Sequence, residues 1–294
     1  MNLIEFYDKN YKKLMLIPLL MLVLSIIIIA AFYSKNSDVM NKDVSLKGGI
    51  TATVYIKDPI SIASLEQSLN KEFNDALVRK LTEFGSENQI GLIIEVGTED
   101  EASVKSFLEQ NLNMQLTEEN YSVEVSGSAI GETFYKQMLI ALLLAFIFMS
   151  IIIIIIFRTF IPSIAVIFAA LADIIVTLAF IDLIGQRIST AGIAAFLLII
   201  GYSVDTDVLL TTHVLKRKEG SITERIFRSM KTGLTMTITT ITASIVGYFL
   251  SEAKVFKEIF LIILVAMIVD VISTYLMNAA ILKIYAEKKE HITQ

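Results

Sequence analysis

The stretch that decides the fold is residues 138–157, which reads MLIALLLAFIFMSIIIIIIF and carries no charged residue. A helix needs about 20 predominantly apolar residues to cross the hydrocarbon core of a bilayer. This stretch has that length and composition, so it predicts a transmembrane helix. Taken alone, it also fits a buried core helix.

Five further apolar stretches decide between those two alternatives. They cover residues 14–33, 161–184, 188–214, 232–250 and 256–284. Hydrophobic residues make up 54% of the 294-residue chain and charged residues only 19%, whereas a soluble domain has about 25% charged residues. One soluble core cannot bury six such helices, so the sequence predicts an α-helical membrane protein with six transmembrane helices.

The basic residues predict the orientation of these spans. An even number of spans places both termini on the same side of the membrane. That side carries 13 Lys and Arg residues, against only Arg187, Lys254 and Lys257 in the short loops opposite. Because cytoplasmic loops are enriched in Lys and Arg, we expect a multi-pass protein of the cell membrane with cytoplasmic termini. Its cytoplasmic segments are residues 1–13, 215–231 and 285–294, together with the short loop at Arg158.

Residues 34–137, between the first and second spans, have the composition of a water-exposed domain. They hold 9 basic and 17 acidic residues, a net charge of −8. The positive-inside assignment places this acidic domain outside the cell.

The pattern within this domain is α+β. Alternating and β-branched residues predict strands over residues 50–56, 92–96 and 121–125. Helical spacing covers residues 60–84, and a Thr98-x-x-Glu101 capping box predicts a second helix to about residue 112. This order predicts a small ferredoxin-like domain and leaves a fourth strand unassigned.

Composition argues against several classes of function. The chain has no Cys and only two His, so thiolate and histidine metal sites are not expected. The sequence shows no nucleophile–base pair and no phosphate-binding loop, so we expect neither an enzyme nor a bound cofactor. The net charge of −5 gives no sign of a nucleic-acid partner.

Four carboxylates lie inside predicted spans: Asp173, Asp205, Asp207 and Asp270. An Asp at the centre of a membrane helix costs about 2.5–3.5 kcal/mol on insertion scales. Each of the four has two interpretations, a hydrogen-bonded contact between helices or a proton or ion relay.

The fourth span holds the strongest relay candidate. Asp205 and Asp207 are two residues apart, so a helix directs their side chains about 200° apart. Only one of them therefore faces the bundle core, and we favour Asp205. The fifth span repeats Thr residues, which fits close helix packing or a hydrated path beside Asp205. Arg228, just before that span, either reaches the membrane interface or pairs with an acidic partner.

Four segments carry a resemblance to the SecD/SecF family of the resistance-nodulation-division superfamily. Residues 43–49 (DVSLKGG) are similar to the family's D-x-x-G-G-like segment, and residues 127–132 (GSAIGE) to its V-G-P-x-V-G segment, with Ser128 where Pro is usual. Residues 201–205 (GYSVD) resemble the fourth-span motif G-Y-S-I-N-D of the SecF branch, and residues 228–235 resemble R-T-x-x-T-S-x-T. The matched positions are Asp43, Gly48, Gly49, Gly127, Gly131, Gly201, Tyr202, Ser203 and Arg228.

The fourth span differs from the bacterial motif by one position. Bacterial members have Asp where this chain has Thr206, whereas the V-D-T-D-V sequence around Asp205 and Asp207 is similar to archaeal members. A shift of one residue moves the carboxylate about 100° around the helix.

The resemblance implies a role in protein export. It implies half of a larger membrane bundle, a SecD-like partner subunit, a neighbouring SecYE-type channel, unfolded client proteins, contact with lipid, and use of the proton motive force. Two alternatives stay open, a small exporter subunit of the same superfamily and a structural scaffold for the SecD-like partner.

Overall fold

The computed structural model describes residues 3–56, 60–73, 75–83, 88–217, 219–251 and 253–293. Within these residues the helices are α1 (Leu3–Leu14), α2 (Leu16–Asn36), α3 (Val44–Lys47), α4 (Ile62–Glu72), α5 (Glu101–Leu112), α6 (Ser128–Phe157), α7 (Phe160–Leu183), α8 (Thr190–Lys216), α9 (Ile222–Leu250), α10 (Lys254–Ile272) and α11 (Ala279–Thr293). A π-helical segment, Ser273–Asn278, joins α10 to α11. The strands are β1 (Gly49–Tyr55), β2 (Leu77–Thr82), β3 (Gln89–Val96) and β4 (Tyr121–Ser126).

Among the described residues, six helices are long and apolar enough to cross a membrane, as the sequence predicts. They are α1–α2 together, α6, α7, α8, α9, and the continuous run from α10 to α11. The central three, α7, α8 and α10, are the most buried. In contrast, α2 and α6 expose most of their Leu, Ile and Phe side chains, which is expected of surfaces that face lipid rather than water.

Several polar contacts lie at the end of the bundle that holds α1. The Lys283 side chain, only 2% exposed, forms an ion pair with Asp8 of α1. Its ammonium also lies 4.4 Å from the centre of the Tyr11 ring. The N-terminal helix is thereby fixed against α11.

The domain between α2 and α6 is a four-stranded antiparallel sheet in the order β2-β3-β1-β4. The inward side chains of α4 and α5, which include Leu65, Leu69, Val104 and Leu108, pack on the same core as the buried strand residues. The hydrophobic core of the domain therefore lies between its sheet and these two helices.

The predicted helix over residues 60–84 is wrong after Glu72. Residues of the second half form β2, which pairs with β3 in antiparallel register. The side chain of Asn70 closes the turn between the two elements, since its amide exchanges hydrogen bonds with the backbone N–H and C=O of Ala76. Pairing with a distant strand overrode local helical spacing. Phe84, the end of the predicted helix, lies outside the described residues.

The start of α5 also differs from the predicted capping box. Asp100, rather than Thr98, is the N-cap, and its carboxylate accepts a hydrogen bond from the backbone N–H of Ser103. An Asp at the N-cap satisfies an amide that the helix leaves free.

Two of the glycine motifs meet where the domain joins α6. Gly48 has a φ of +85°, and a Cβ there would lie 2.3 Å from the Cα of Ser128. A Cβ on Gly131 would lie 2.9 Å from the carbonyl oxygen of Leu46. Only residues without a side chain allow this close backbone approach, so α3 and the first turn of α6 are held together.

Candidate functional site

Three carboxylates meet in the centre of the bundle. Asp173 comes from α7, Asp207 from α8 and Asp270 from α10, and each of the three side chains is completely buried. The structure thus brings together three of the four intramembrane carboxylates that the sequence singles out. We call Asp173, Asp207 and Asp270 the carboxylate cluster.

Serine hydroxyls surround Asp173. The Ser203 hydroxyl of α8 donates to its Oδ2, and the Ser273 hydroxyl of the π-helical segment donates to its Oδ1. Both carboxylate oxygens of Asp173 therefore have a hydrogen-bond donor, which is the arrangement that stabilises an ionised carboxylate.

Threonine hydroxyls connect the other two members. The Thr206 hydroxyl lies 3.0 Å from Asp270 Oδ2, and it also lies 2.8 Å from the carbonyl oxygen of Ser203. The Thr274 hydroxyl lies between Asp207 Oδ1, at 2.9 Å, and Asp270 Oδ1, at 3.3 Å. Each hydroxyl has a single hydrogen to donate, so these two residues cannot serve every neighbouring acceptor at once.

The π-helical segment supplies most of these contacts. Ser273, Thr274 and Asn278 all lie in it, and each contacts a member of the carboxylate cluster. Single π turns inside long helices occur frequently at functional sites. Outside the cluster, the Tyr7 hydroxyl of α1 donates to the carbonyl oxygen of Tyr275, so the N-terminal helix contacts the same segment.

None of the basic side chains that the structure describes neutralises the cluster. In the part of the chain that the structure describes, the ion pairs lie elsewhere, and no group of His, Cys, Asp and Glu has a metal-binding arrangement. Three ionised carboxylates without a counter-charge are not tolerated in an apolar interior, so such groups take up protons. The chemistry that fits this site is reversible protonation.

The expectation that Asp205 faces the bundle core is wrong. Asp205 is exposed on the outer surface of α8, whereas Asp207 is completely buried. Only one of the two carboxylates faces the core, as expected. Which of them does so is indicated by the polar residues around each. Ser203 and Thr211, four residues before and after Asp207, are also fully buried, and this stripe at helical spacing was the signal that identifies the inner face.

Arg228 lies apart from the carboxylate cluster. Its guanidinium is half exposed and lies 3.6 Å from Glu219. Sequence reasoning missed Arg225, which is buried and donates to the carbonyl oxygens of Val214 and Arg217. Arg225 thus closes the connection between α8 and α9.

A second cluster of charges joins the domain to the bundle. Glu95 of β3 is 1% exposed, and it forms ion pairs with Lys254, at the start of α10, and with Arg187, just before α8. Lys254 also lies 3.3 Å from Asp43, and Arg187 lies 2.7 Å from Asp75. We call these five residues the outer ion-pair cluster. All three acids belong to the domain and its neck, whereas Arg187 belongs to the loop before α8 and Lys254 to the first turn of α10.

The remaining motif positions have separate places in the fold. Asp43 caps α3 and belongs to the outer ion-pair cluster, and Gly127 is the N-cap of α6. Of the three motif positions on α8, Gly201 and Tyr202 are exposed, and Ser203 contacts the carboxylate cluster.

These features define a class of protein: a multi-pass membrane protein with an ionisable centre inside its bundle and a small antiparallel sheet in the segment between its first two spans. The family described as "Protein export membrane protein SecD/SecF, C-terminal" matches residues 106–288. The chain belongs to this SecD/SecF family of protein-export membrane proteins.

Relatives extend the match over nearly the whole chain. "Protein-export membrane protein SecF" of Methanocaldococcus jannaschii is 38% identical over 283 residues, covering 94% of this chain and 96% of the relative. The protein of the same name from Methanothermobacter thermautotrophicus is 33% identical, covering 97% and 96%. Both relatives are named as membrane proteins of protein export.

A solved structure shares the fold. The crystal structure of SecDF, described as a translocon-associated membrane protein, from Thermus thermophilus superposes with a TM-score of 0.71 at 20% identity. The match covers 98% of this chain and 40% of the Thermus chain. The present chain therefore corresponds to less than half of that longer protein.

Proposed function

We propose that this chain assists protein export together with a SecD-like subunit, beside a SecYE-type channel, and that protonation of the carboxylate cluster couples this work to the proton motive force. The observation that carries the proposal is the position of Asp173, Asp207 and Asp270, which are buried together with no counter-charge from the described part of the chain.

The helices that bear the cluster also hold the domain. α10 begins at Lys254, which pairs with Glu95 of the domain, and it carries Asp270 sixteen residues later. At a rise of about 1.5 Å per residue, these two positions are about 24 Å apart on one helix. On α7, Asp182 accepts a hydrogen bond from the backbone N–H of Asn41, in the neck that leads to the domain. A shift of these helices is thereby transmitted to the domain.

The proton motive force supplies energy for such a shift of the helices. One charge that crosses a potential of 100 mV yields about 2.3 kcal/mol. This energy changes the balance between two arrangements of the bundle only when protonation of the cluster differs between them. Helices that are packed around hydroxyl–carboxylate contacts meet this condition, because gain or loss of a proton changes which oxygens accept hydrogen bonds.

The orientation of the chain follows from its charges. We infer that both termini and the connection between α8 and α9 are cytoplasmic, and that the acidic domain lies outside the cell. Its strand order β2-β3-β1-β4, with α4 and α5 as crossovers, supports a ferredoxin-like fold for this domain.

Polar residues exposed on the outer surface of α8 and α9 are evidence for a partner subunit. Asp205 and Tyr202 are exposed on α8, and four Thr residues of α9 are exposed as well: Thr232, Thr235, Thr239 and Thr242. An exposed carboxylate costs about 2.5–3.5 kcal/mol at mid-bilayer, whereas it costs much less against polar groups of another helix. We infer that the SecD-like subunit covers this surface, and the longer Thermus chain has room for such a second half.

The coupling is tested in inverted membrane vesicles from the native host, by measuring protease-protected secretory precursor with and without an uncoupler. We expect Asp207→Asn to remove the uncoupler-sensitive fraction of export while the protein remains in the membrane. Asp205→Asn, two residues away on the same helix but outside the cluster, is the matched control: its export stays sensitive to the uncoupler even where loss of this partner-facing carboxylate lowers the total amount exported. The opposite result for the pair would place the coupling on the outer surface of α8.

The scaffold alternative gives a different result in the same vesicles. It predicts that Asp207→Asn leaves export normal. The partner surface is tested by co-purification from native membranes, where Thr235→Leu combined with Thr239→Leu is expected to reduce recovery of the SecD-like subunit. The control Ile152→Ala, on an exposed apolar surface of α6, leaves recovery unchanged.

A further inference from the structure

The contact between Asp207 and Asn278 is incomplete in a specific way. The Asn278 amide nitrogen donates to Asp207 Oδ1 at 2.7 Å, and the Thr274 hydroxyl lies 2.9 Å from the same oxygen. The other oxygen of Asp207, Oδ2, and the amide oxygen of Asn278 are both buried without a hydrogen-bond partner in the described part of the chain. Both of these atoms are acceptors when Asp207 is ionised.

One additional proton would satisfy both atoms. A carboxylic acid and a primary amide pair through two hydrogen bonds, N–H to the carboxyl C=O and carboxyl O–H to the amide C=O. The first of these bonds is present. The second requires a hydrogen on Asp207 Oδ2. Buried polar atoms are nearly always paired, so the two orphaned oxygens are evidence for this hydrogen.

The distribution of donors separates the members of the cluster. Asp173 receives one serine hydroxyl on each of its oxygens, as an ionised carboxylate requires. Asp207 receives the Asn278 amide on Oδ1, where the Thr274 hydroxyl also lies, and among the described residues it receives no donor on Oδ2. This asymmetry matches a neutral acid, with Oδ1 as its carbonyl oxygen and Oδ2 as its hydroxyl.

We propose that Asp207 is held as a neutral carboxylic acid whose Oδ2–H donates to the amide oxygen of Asn278, and that Asp173 carries the negative charge of the cluster. Asn278 is then a positioning residue, because it acts on the proton only through Asp207. The other titratable groups around Asp207 are Asp173 on α7, Asp270 on α10 and Tyr275 in the π-helical segment. This inference deepens the proposed coupling function and names the atom that holds the proton in this conformation.

The proposal accounts for the position of Asn278 at the end of the π-helical segment. Loss of the Asp207 proton leaves Oδ2 and the amide oxygen of Asn278 as two buried acceptors with no hydrogen to share. Two acceptors repel each other, so the amide must turn and the segment that carries Ser273, Thr274 and Asn278 must adjust with it. The same segment contacts all three carboxylates, so a change at one member reaches the others.

Infrared difference spectroscopy of the complete protein in lipid nanodiscs tests this assignment. Labelling the wild-type chain with ¹³C-carboxyl aspartate identifies bands from protonated Asp without any substitution. We expect a protonated carboxyl band that Asp207→Asn removes and Asp205→Asn retains. In Asn278→Leu the band remains but moves to higher frequency, because the acceptor of its hydrogen bond is gone.

Several outcomes would overturn the assignment. One is a labelled wild-type chain with no protonated Asp band, and this test does not depend on how any variant folds. Another is a spectrum in which Asp207→Asn removes no protonated carboxyl band, which places the protons of the cluster on Asp173 or Asp270. A band present in potassium salts and absent in sodium salts of equal ionic strength means that sodium, rather than a proton, occupies the site.

The spectra and the export assay fail independently. If Asp207→Asn loses the band and export stays sensitive to the uncoupler, the proton assignment stands and the proposed coupling role of this site is refuted. If Asp207→Asn loses coupled export and removes no protonated carboxyl band, the coupling role stands and the assignment of the proton to Asp207 is refuted.

Discussion

The ion pair between Glu95 and Lys254 is expected to contribute measurably to the stability of the whole chain. Glu95 lies in the sheet and is 1% exposed, and Lys254 lies at the start of α10 and is 19% exposed. Because the pair is shielded from water and salt, its attraction is screened far less than that of a surface pair. The perturbation is the removal of each charge by Glu95→Gln and Lys254→Met, singly and together.

The neighbouring charges set the magnitude. Removing one partner of a buried ion pair costs about 3–5 kcal/mol when the other is left alone. Here Glu95 keeps Arg187 at 3.5 Å after Lys254 is lost, and Lys254 keeps Asp43 at 3.3 Å after Glu95 is lost. We therefore expect each single substitution to lower the free energy of unfolding by about 2 kcal/mol, with a coupling energy of about 1.5 kcal/mol between the two.

The assay is a double-mutant cycle on the detergent-solubilised chain, with reversible urea unfolding followed by circular dichroism. Lys136 and Glu132 provide a matched control, because they form an ion pair at 2.7 Å but are 68% and 66% exposed. The same cycle on this exposed pair is expected to give a coupling energy of about 0.5 kcal/mol or less. Equal coupling energies for the two pairs would refute the claim that burial at the domain junction makes the outer pair strong.

Two further predictions concern the junction of the domain with α6. Gly131→Ala is expected to lower the free energy of unfolding by about 1–3 kcal/mol, because its Cβ would lie 2.9 Å from a backbone carbonyl oxygen. The control is Gly201→Ala on α8, whose Cβ would have nothing within 4 Å. This control is expected to be neutral or stabilising in thermal unfolding. A hydrogen bond from the backbone N–H at the start of α6, 2.7 Å away, lowers the pKa of Glu99 below its usual 4.5. A carboxyl group with a lowered folded-state pKa contributes stability above its unfolded-state pKa, and this stability is lost as the pH falls through the folded-state pKa. Glu99→Gln should therefore lower the melting temperature at neutral pH and have no such effect well below pH 4.5. An equal decrease in melting temperature at both pH values would contradict this prediction.

The helices and most strands of this chain were predictable because their signals are local. A membrane span is recognised by the average apolarity of about 20 consecutive residues, and six such spans are present. The strands around residues 50–56, 92–96 and 121–125 were recognisable from β-branched, alternating residues, and β1, β3 and β4 lie there. β2 was not, because its residues also fit helical spacing and become a strand only through pairing with β3.

The candidate site was predictable in its chemistry and not in its geometry. A carboxylate inside a membrane span is costly enough to mark Asp173, Asp207 and Asp270 from sequence alone. Their meeting at one point depends on how α7, α8 and α10 pack, which the residues of any single helix do not encode.

The sequence by itself determined the number of membrane helices, the acidic domain between the first two and the residues able to carry a proton, because each is a property of short, continuous segments. The tertiary structure decided that Asp207 rather than Asp205 faces inward, since the rotation of a helix about its axis is set by its neighbours. It also decided that Asp43, Glu95 and Lys254 meet. Contacts between residues so far apart in the chain form only when the packing of the whole bundle brings their helices and strands together.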